Sequence, residues 1–255
     1  MRLLILFFNN RFVRKIEKWL YKGGKYQCPF CFHASKKMAF LGEDLPVIKE
    51  KHIIGAGRRR CVCYQCGSID RERLIFAFLK YQLDYFADKD KRILHIAPER
   101  TLAATLHTSG FTNYVCGDLS PDRYKYPFPL QTINILNIPY RDNYFDLVIC
   151  NHVLEHIPND RDAMRELYRV LKAGGLALLQ VPFSKTISKT IEDASVLDPQ
   201  EREKQFGQYD HVRIYGLDYM ERLKACGFKV KRRNISLAYQ HLGVNKEEDI
   251  FIAEK

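Results

Sequence analysis

Cys28-Pro-Phe-Cys31 and Cys63-Tyr-Gln-Cys66 are the densest chemistry in this 255-residue chain: two C-x2-C knuckles separated by residues 32–62. Such a pair can set four thiolates tetrahedrally around one Zn2+, and Gly67 follows the second knuckle where a tight turn is needed. Four protein ligands leave no open coordination position, so the ion is expected to be structural. The interval is longer than in common zinc ribbons, so a hairpin or small lobe must fill it. Cys61 offers a rival ligand to Cys63, although C-x2-C-G makes Cys63 and Cys66 the better pair. Cys116, Cys150 and Cys226 lie in apolar segments and read as buried small hydrophobes.

A second group of polar residues stands where apolar runs stop. Asn151 and His152 follow Phe145–Ile149, Asp118 follows 113–117, and His95, Ala97 and Glu99 lie at the end of another run. His211, beside Asp210 and close to Arg213 and Tyr215, is the leading candidate for a general base, because imidazole titrates near neutrality.

The elements that must position these groups alternate strand and helix from Lys91 onward, which implies a parallel sheet. The pattern predicts strands at 92–97, 113–117, 131–135, 145–150, 176–181, 228–233 and 248–253, and helices at 100–109, 160–172 and 217–226. Ala173-Gly174-Gly175 is expected to end the second of these helices, and the last two strands to pair antiparallel. Ligands of open α/β sheets bind at the carboxyl ends of strands, which is where the polar residues fall. Ahead of the sheet, residues 1–24 are expected as a basic amphipathic helix ended by Gly23-Gly24. An apolar stripe of Phe8, Phe12, Ile16, Trp19 and Leu20 among Arg11, Arg14, Lys15, Lys18 and Lys22 suits either docking on the protein body or a membrane interface. Residues 25–90 form the zinc-ribbon-like lobe with a linker helix over Ile69–Asp84, and residues 91–255 form the sheet domain.

The 46% hydrophobic and 13% aromatic content implies a substantial core and excludes a disordered chain. No run reaches the ~18 apolar residues of a membrane span, and Leu3–Phe8 is too short for a signal-peptide core, which implies a cytoplasmic protein and argues against disulfides. The net charge of +11 is uneven: residues 1–92 hold 20 Lys/Arg against 9 Asp/Glu, and residues 93–255 hold 21 of each. A basic appendage beside a neutral body suits a polyanion or an anionic membrane surface.

Phe145-Asp-Leu-Val-Ile-Cys-Asn-His-Val-Leu-Glu-His-Ile157 resembles the fourth strand of class I S-adenosylmethionine-dependent methyltransferases, F-D-x-V-x-x-x-x-V-L-E-H. The resemblance implies a Rossmann-like seven-stranded α/β sheet and S-adenosyl-L-methionine as cofactor. The first-strand loop departs from that family. Where V-L-D-x-G-x-G-x-G is usual, Ile93-Leu-His-Ile-Ala-Pro-Glu-Arg100 puts His95 for the acid and Ala97 and Glu99 for the first two glycines. His-Ile-Ala-Pro-Glu, the two knuckles with Cys66-Gly-Ser68, and Phe206-Gly-Gln-Tyr-Asp-His-Val-Arg-Ile-Tyr-Gly216 together resemble a bacterial group of methyltransferase-domain proteins with an N-terminal four-cysteine, zinc-ribbon-like lobe.

On that resemblance, Glu99 would accept from the cofactor ammonium and His95 would contact its carboxylate. Asp118 would bond the ribose hydroxyls, Asn134 would accept from the adenine amine and Ile135 would pack on the ring. Asn151 and His152 would line the sulfonium end, and residues 183–216 would form a substrate lid. Glu155 and His156 read as residues that orient the loop into the next helix. Absence of Asn-Pro-Pro-Tyr and Pro-Cys after strand four weighs against common base methylation. A small-molecule, glycan or lipid-linked acceptor is the leading expectation. RNA gripped by Arg58, Arg59 and Arg60, and a non-catalytic binding protein, are the alternatives.

Overall fold

The structure, a computed structural model, describes residues 11–123 and 126–255. Residues 1–10 of the expected N-terminal helix, including Phe8, lie outside the described residues. Arg11–Leu20 is helical (α1), and its apolar residues Ile16, Trp19 and Leu20 are exposed, Trp19 at 75%. Docking of that stripe on the body is therefore not what these three side chains do. The helix ends before Gly23-Gly24, which lie instead in strand β1, Lys22–Gln27. That strand pairs antiparallel with β2, Ala34–Ser35, through an irregular register that absorbs the two glycines.

The lobe continues through β3 (Ala39–Leu41), α2 (Pro46–Glu50), β4 (Ile53–Ile54) and β5 (Arg59–Val62) to the linker helix α3 (Asp70–Ala77), which runs on as a π-helical turn over Phe78–Gln82. The sheet domain follows with β6 (Arg92–Ile96), α4 (Arg100–Thr108), β7 (Asn113–Asp118), β8 (Gln131–Thr132), β9 (Phe145–Cys150), α5 (Asp160–Val170) and β10 (Leu171–Leu178). A connection carrying β11 (Phe183–Ser184), β12 (Ile191–Glu192), α6 (Pro199–Phe206) and β13 (Arg213–Ile214) leads to α7 (Tyr219–Lys224), β14 (Lys229–Arg233) and β15 (Ile250–Glu254).

The central sheet has seven strands in the order β14-β15-β10-β9-β6-β7-β8, parallel except for the antiparallel β10-β15-β14 edge. The fold is α/β, with the seven strands and the antiparallel edge pair expected from the sequence. Five of the six residues of β9 are buried, the near-continuous apolar run that a strand covered on both faces requires. Alternation then divides the core. Leu94, Val148 and Cys150 join one cluster with α5 and α7, while Ile93, Leu147 and Ile149 join the other with α3 and α4. The Ala173-Gly174-Gly175 turn lies within β10, whose register with β9 shifts between Leu171 and Leu176.

Several contacts join the lobe to the sheet domain. Strand β11 pairs with β4, and Val47, Ile53, Phe206 and Ile214 form a small core between them. The expected lid is thus built jointly from residues 183–216 and the lobe. The fully buried Arg73 donates to the carbonyls of Ser68, Cys61 and Gly243, tying the second knuckle to the C-terminal segment.

Candidate functional site

The chain leaves β6 toward β7 and β8 on one side and returns to β9 on the other, so the crevice between the ends of β6 and β9 is a topological switch point. Ile96 pairs with Cys150, which sets Ala97 and Asn151 at facing strand ends. Both mouths of the crevice carry backbone strain. Ala97 has φ 45° and His152 φ 54°, a left-handed conformation that costs a side chain about 1–2 kcal/mol and concentrates at functional sites. Ala97 therefore keeps a glycine-like backbone where the usual loop has glycine.

His95 is fully buried, with Nε2 3.1 Å from Glu99 Oε2 and Nδ1 2.9 Å from the Tyr114 hydroxyl. Both ring nitrogens are engaged, so the expected contact of His95 with a cofactor carboxylate is corrected: this ring orients Glu99 from beneath. Glu99 also accepts from Arg71 Nε at 3.2 Å and from Asn151 Nδ2 at 3.4 Å. Burial opposes its charge, but the hydrogen bond from His95 and the Arg71 guanidinium hold its carboxyl below the ordinary range.

Arg71 and its neighbour Glu72 come from the linker helix α3. Glu72 accepts from the backbone N–H of Thr101 at 3.0 Å and of Leu102 at 2.9 Å, capping the start of α4, and from Ile69 at 3.3 Å. Burial, then the charge of Glu99, push the Glu72 carboxyl up to about 7. Neither residue was among the sequence candidates. Asp70-Arg-Glu-Arg73 reads only as the start of the linker helix, and the fold brings it against residues 99–102.

Asp118 ends β7, and its Oδ1 accepts from Ser120 N at 2.7 Å while Oδ2 has no hydrogen-bond partner among the described residues. Asn134 is exposed, and its side-chain oxygen closes a turn on Leu136 N at 3.0 Å. Ile135 is a buried core residue at 5% exposure, so its expected packing on a ring is corrected to packing in the sheet core.

Past β9, Asn151 is buried with Oδ1 unpartnered among the described residues, and His152 is held by its N–H on Gln180 O at 2.7 Å. Residue 55 faces the His152 ring with φ +84°, and an added Cβ there would lie a tight 3.2 Å from Cε1. Burial drives the His152 imidazole well below its ordinary pKa. The turn after β9 is pinned from the β13 segment: Arg213 donates to the carbonyls of Leu154 and Pro158 at 2.8 Å, and Tyr215 donates to Asp160 at 2.7 Å. Arg213 and Tyr215 thus position this turn instead of facing the crevice. Val212 N–H donates to Glu155 O at 3.0 Å, which brings Glu155, His156 and His211 together. Asp210, expected in a cluster around His211, pairs with His156 Nδ1 at 3.4 Å, and His211 Nδ1 donates to Phe206 O at 3.3 Å. Burial outweighs other effects on His211 and lowers it to about 4. Burial also opposes the charge of His156, but Asp210 raises it.

In the lobe, the Sγ atoms of Cys28, Cys31, Cys63 and Cys66 all lie within 4.8 Å of one another. Cys28 and Cys66 are 3.6 Å apart, as are Cys31 and Cys63. A tetrahedron of thiolates at Zn–S ≈ 2.3 Å has edges of about 3.8 Å, so the donor set and spacing fit such an ion. The knuckles are duplicates: Phe32 and Gly67 donate N–H to Cys28 O and Cys63 O, and both have positive φ, 58° and 79°. Cys61 stands outside this group.

Residues 94–179, from β6 through β10, carry a match to the family described as "Methyltransferase domain". The chain is 41% identical over 66 residues to the ubiquinone/menaquinone biosynthesis C-methyltransferase UbiE of Neisseria meningitidis, covering 26% of each protein. It is 31% identical over 113 residues to 2-methyl-6-phytyl-1,4-hydroquinone methyltransferase 1, chloroplastic, of Oryza sativa subsp. japonica, covering 40% of this chain and 34% of that protein. The chain spans no more than about a third of the length of these curated relatives. Among solved structures, the [4+2]-cyclase SpnF superposes with TM-score 0.52 at 14% identity, covering 84% of this chain and 99% of that one, a likeness of fold.

Proposed function

We propose that the chain is an S-adenosylmethionine-dependent methyltransferase whose cofactor lies in the crevice between β6 and β9. The observation that carries this reading is the coincidence of the methyltransferase-domain match with a switch-point crevice lined by unpartnered polar groups. The residues present fit the cofactor: Asp118 Oδ2 and Asn151 Oδ1 lack partners among the described residues, and Ala97 holds the loop backbone in its left-handed turn. When bound, S-adenosylmethionine supplies a methyl group on a positively charged sulfur, open to in-line attack. Asp118 accepts from the ribose hydroxyls. Glu99, oriented by His95, accepts from the ammonium, and Arg71 in this loop variant meets the carboxylate. The turn Asn134–Asn137 borders the adenine end. Where the acceptor must lose a proton, the cluster of Glu155, His156 and His211 is the group of titratable side chains past β9 that can assist, directly or through a bound ion. The four thiolates of the lobe hold a structural Zn2+.

For the acceptor, a small molecule or lipid-linked metabolite presented at an anionic membrane surface is favoured by α1. Its exposed Ile16, Trp19 and Leu20 adjoin Lys15, Lys18 and Lys22, the pattern of an interfacial helix. RNA is less well served, because Arg59 is committed to Asp70 at 2.7 Å and Arg60 donates to Met38 O at 3.0 Å. Calorimetric titration with S-adenosylmethionine tests the first reading, with wild type expected to bind and Asp118→Ala to lose affinity. No binding by the wild type refutes it. Labelled S-adenosylmethionine incubated with fractionated cell extract then locates the acceptor, and sedimentation with anionic vesicles, with and without residues 1–22, tests the surface.

A further inference from the structure

Glu155 is 1% exposed, and neither of its carboxylate oxygens has a hydrogen-bond partner among the described residues. A buried carboxylate without a donor is costly, and native structures avoid it unless something outside the protein's own hydrogen bonds satisfies the group. The groups facing it are imidazoles. His152 Nδ1 is 3.4 Å from Oε1 and His156 Nε2 is 4.0 Å from it, contacts without hydrogen-bond geometry. One ligand atom each from Glu155, His156 and His211 lies within 4.8 Å of the others, and no hydrogen bond joins these three side chains among the described residues.

The outer partners of the two histidines are those that metal-binding histidines use. His211 Nδ1 donates to the Phe206 carbonyl at 3.3 Å, and His156 Nδ1 lies 3.4 Å from Asp210 Oδ2. The Phe206 carbonyl holds a proton on His211 Nδ1 and leaves its Nε2 as the free donor atom, while the Asp210 carboxylate, in ion-pair contact with His156 Nδ1, leaves His156 Nε2 as the atom that faces Glu155. Asp210 is thereby a positioning residue that acts through His156. The hydrogen bond from Val212 N–H to Glu155 O, 3.0 Å, locks the two chain segments that supply the ligands.

We propose that Glu155, His156 and His211 bind a divalent transition-metal ion, a second metal site distinct from the four-cysteine site of the lobe. Two imidazoles and one carboxylate suit Zn2+, Fe2+, Co2+ or Mn2+, not the oxygen-only shells of Ca2+ and Mg2+. Three protein ligands leave a coordination position open, as catalytic sites do and the thiolate site does not. The ion itself does not depend on the methyl-transfer reading. Its use does: in that reading it holds an acceptor oxygen beside the crevice and lowers its pKa.

The test counts ions on the full-length chain and needs no turnover. After dialysis against excess Co2+ and then metal-free buffer, native mass spectrometry and the visible spectrum are read together. Wild type is expected to carry two ions, one with a thiolate-to-cobalt charge-transfer band and one without. His211→Gln and Glu155→Gln should each lose the ion that lacks the band and keep the other. Asp210→Asn should retain the second ion with about 10-fold weaker affinity, as removal of an outer-shell partner does. One ion or none beyond the thiolate-bound one in wild type is decided by the count: a wild type with no ion besides the thiolate-bound one overturns the proposal, as does a second ion that persists in both His211→Gln and Glu155→Gln. Circular dichroism identifies any variant that has not folded, and the other variant then decides.

Discussion

Glu72→Gln isolates the coupling between the linker helix and the loop that follows β6. In the wild type the Glu72 carboxylate caps Thr101 and Leu102, yet burial and the charge of Glu99 raise it from 4.5 to about 7. A raised folded-state pKa means that its contribution to stability is fully present below the unfolded value. That contribution is lost as pH climbs through about 7. The rise from 4.5 to about 7 corresponds to about 3 kcal/mol between about pH 4.5 and pH 8. Gln carries no such titration. It keeps an acceptor for the α4 N–H groups but turns its amide toward Ile69 N–H, a constant cost of about 1 kcal/mol. The signature is therefore the pH dependence of the difference between the two proteins. Thermal melts followed by circular dichroism should find Glu72→Gln equal or slightly less stable near pH 5. Near pH 8 its melting temperature should have moved up by roughly 6–12 °C relative to wild type, at 2–4 °C per kcal/mol for a chain of this size. A difference that stays flat across that range refutes the argument. It would mean that the α4 dipole and its N–H groups hold Glu72 ionised at an ordinary pKa.

Gly55→Ala should cost about 1–3 kcal/mol, because φ is +84° there and a Cβ would press on the His152 ring; chemical denaturation measures it. Arg73→Met leaves the carbonyls of Ser68, Cys61 and Gly243 without their donor, and a loss of about 3 kcal/mol or more is expected in the same assay. Asp118→Ala should weaken S-adenosylmethionine about 10-fold or more in calorimetry, and unchanged affinity would remove the ribose from this strand end. Cys63→Ser should abolish zinc retention and raise proteolytic cleavage within residues 25–66, read by mass spectrometry.

Local patterns account for much of what was legible in the chain. The alternation of short apolar runs with helical segments placed the sheet, and in β7 and β9 the run is closed by polar residues, Asp118 and Asn151. The knuckles were legible because thiolate geometry is set by residues three apart, with a positive-φ residue after each pair. Asp118 could be found because it closes an apolar run, and its position at a strand end follows from the run itself. Less was readable around Glu99. His95 looked like a ligand contact, yet its two nitrogens are satisfied by Tyr114 and Glu99, and one of those partners comes from a different strand. Ile135 looked available, yet the side it presents is the core.

What the sequence by itself determined is therefore the alternating architecture, the cysteine quartet and the strand ends where ligands can sit, all consequences of short-range spacing and burial. What only the tertiary structure decided is which charged side chains meet there. Arg71 and Glu72 reach the loop from the linker helix, Asp210 turns to His156, and Glu155 is brought against His156 and His211 by the Val212–Glu155 backbone bond. Apart from the adjacent pair Glu155 and His156, those meetings join residues far apart in the chain. Burial makes an unpartnered charge costly, and the fold alone determines which groups come within its reach.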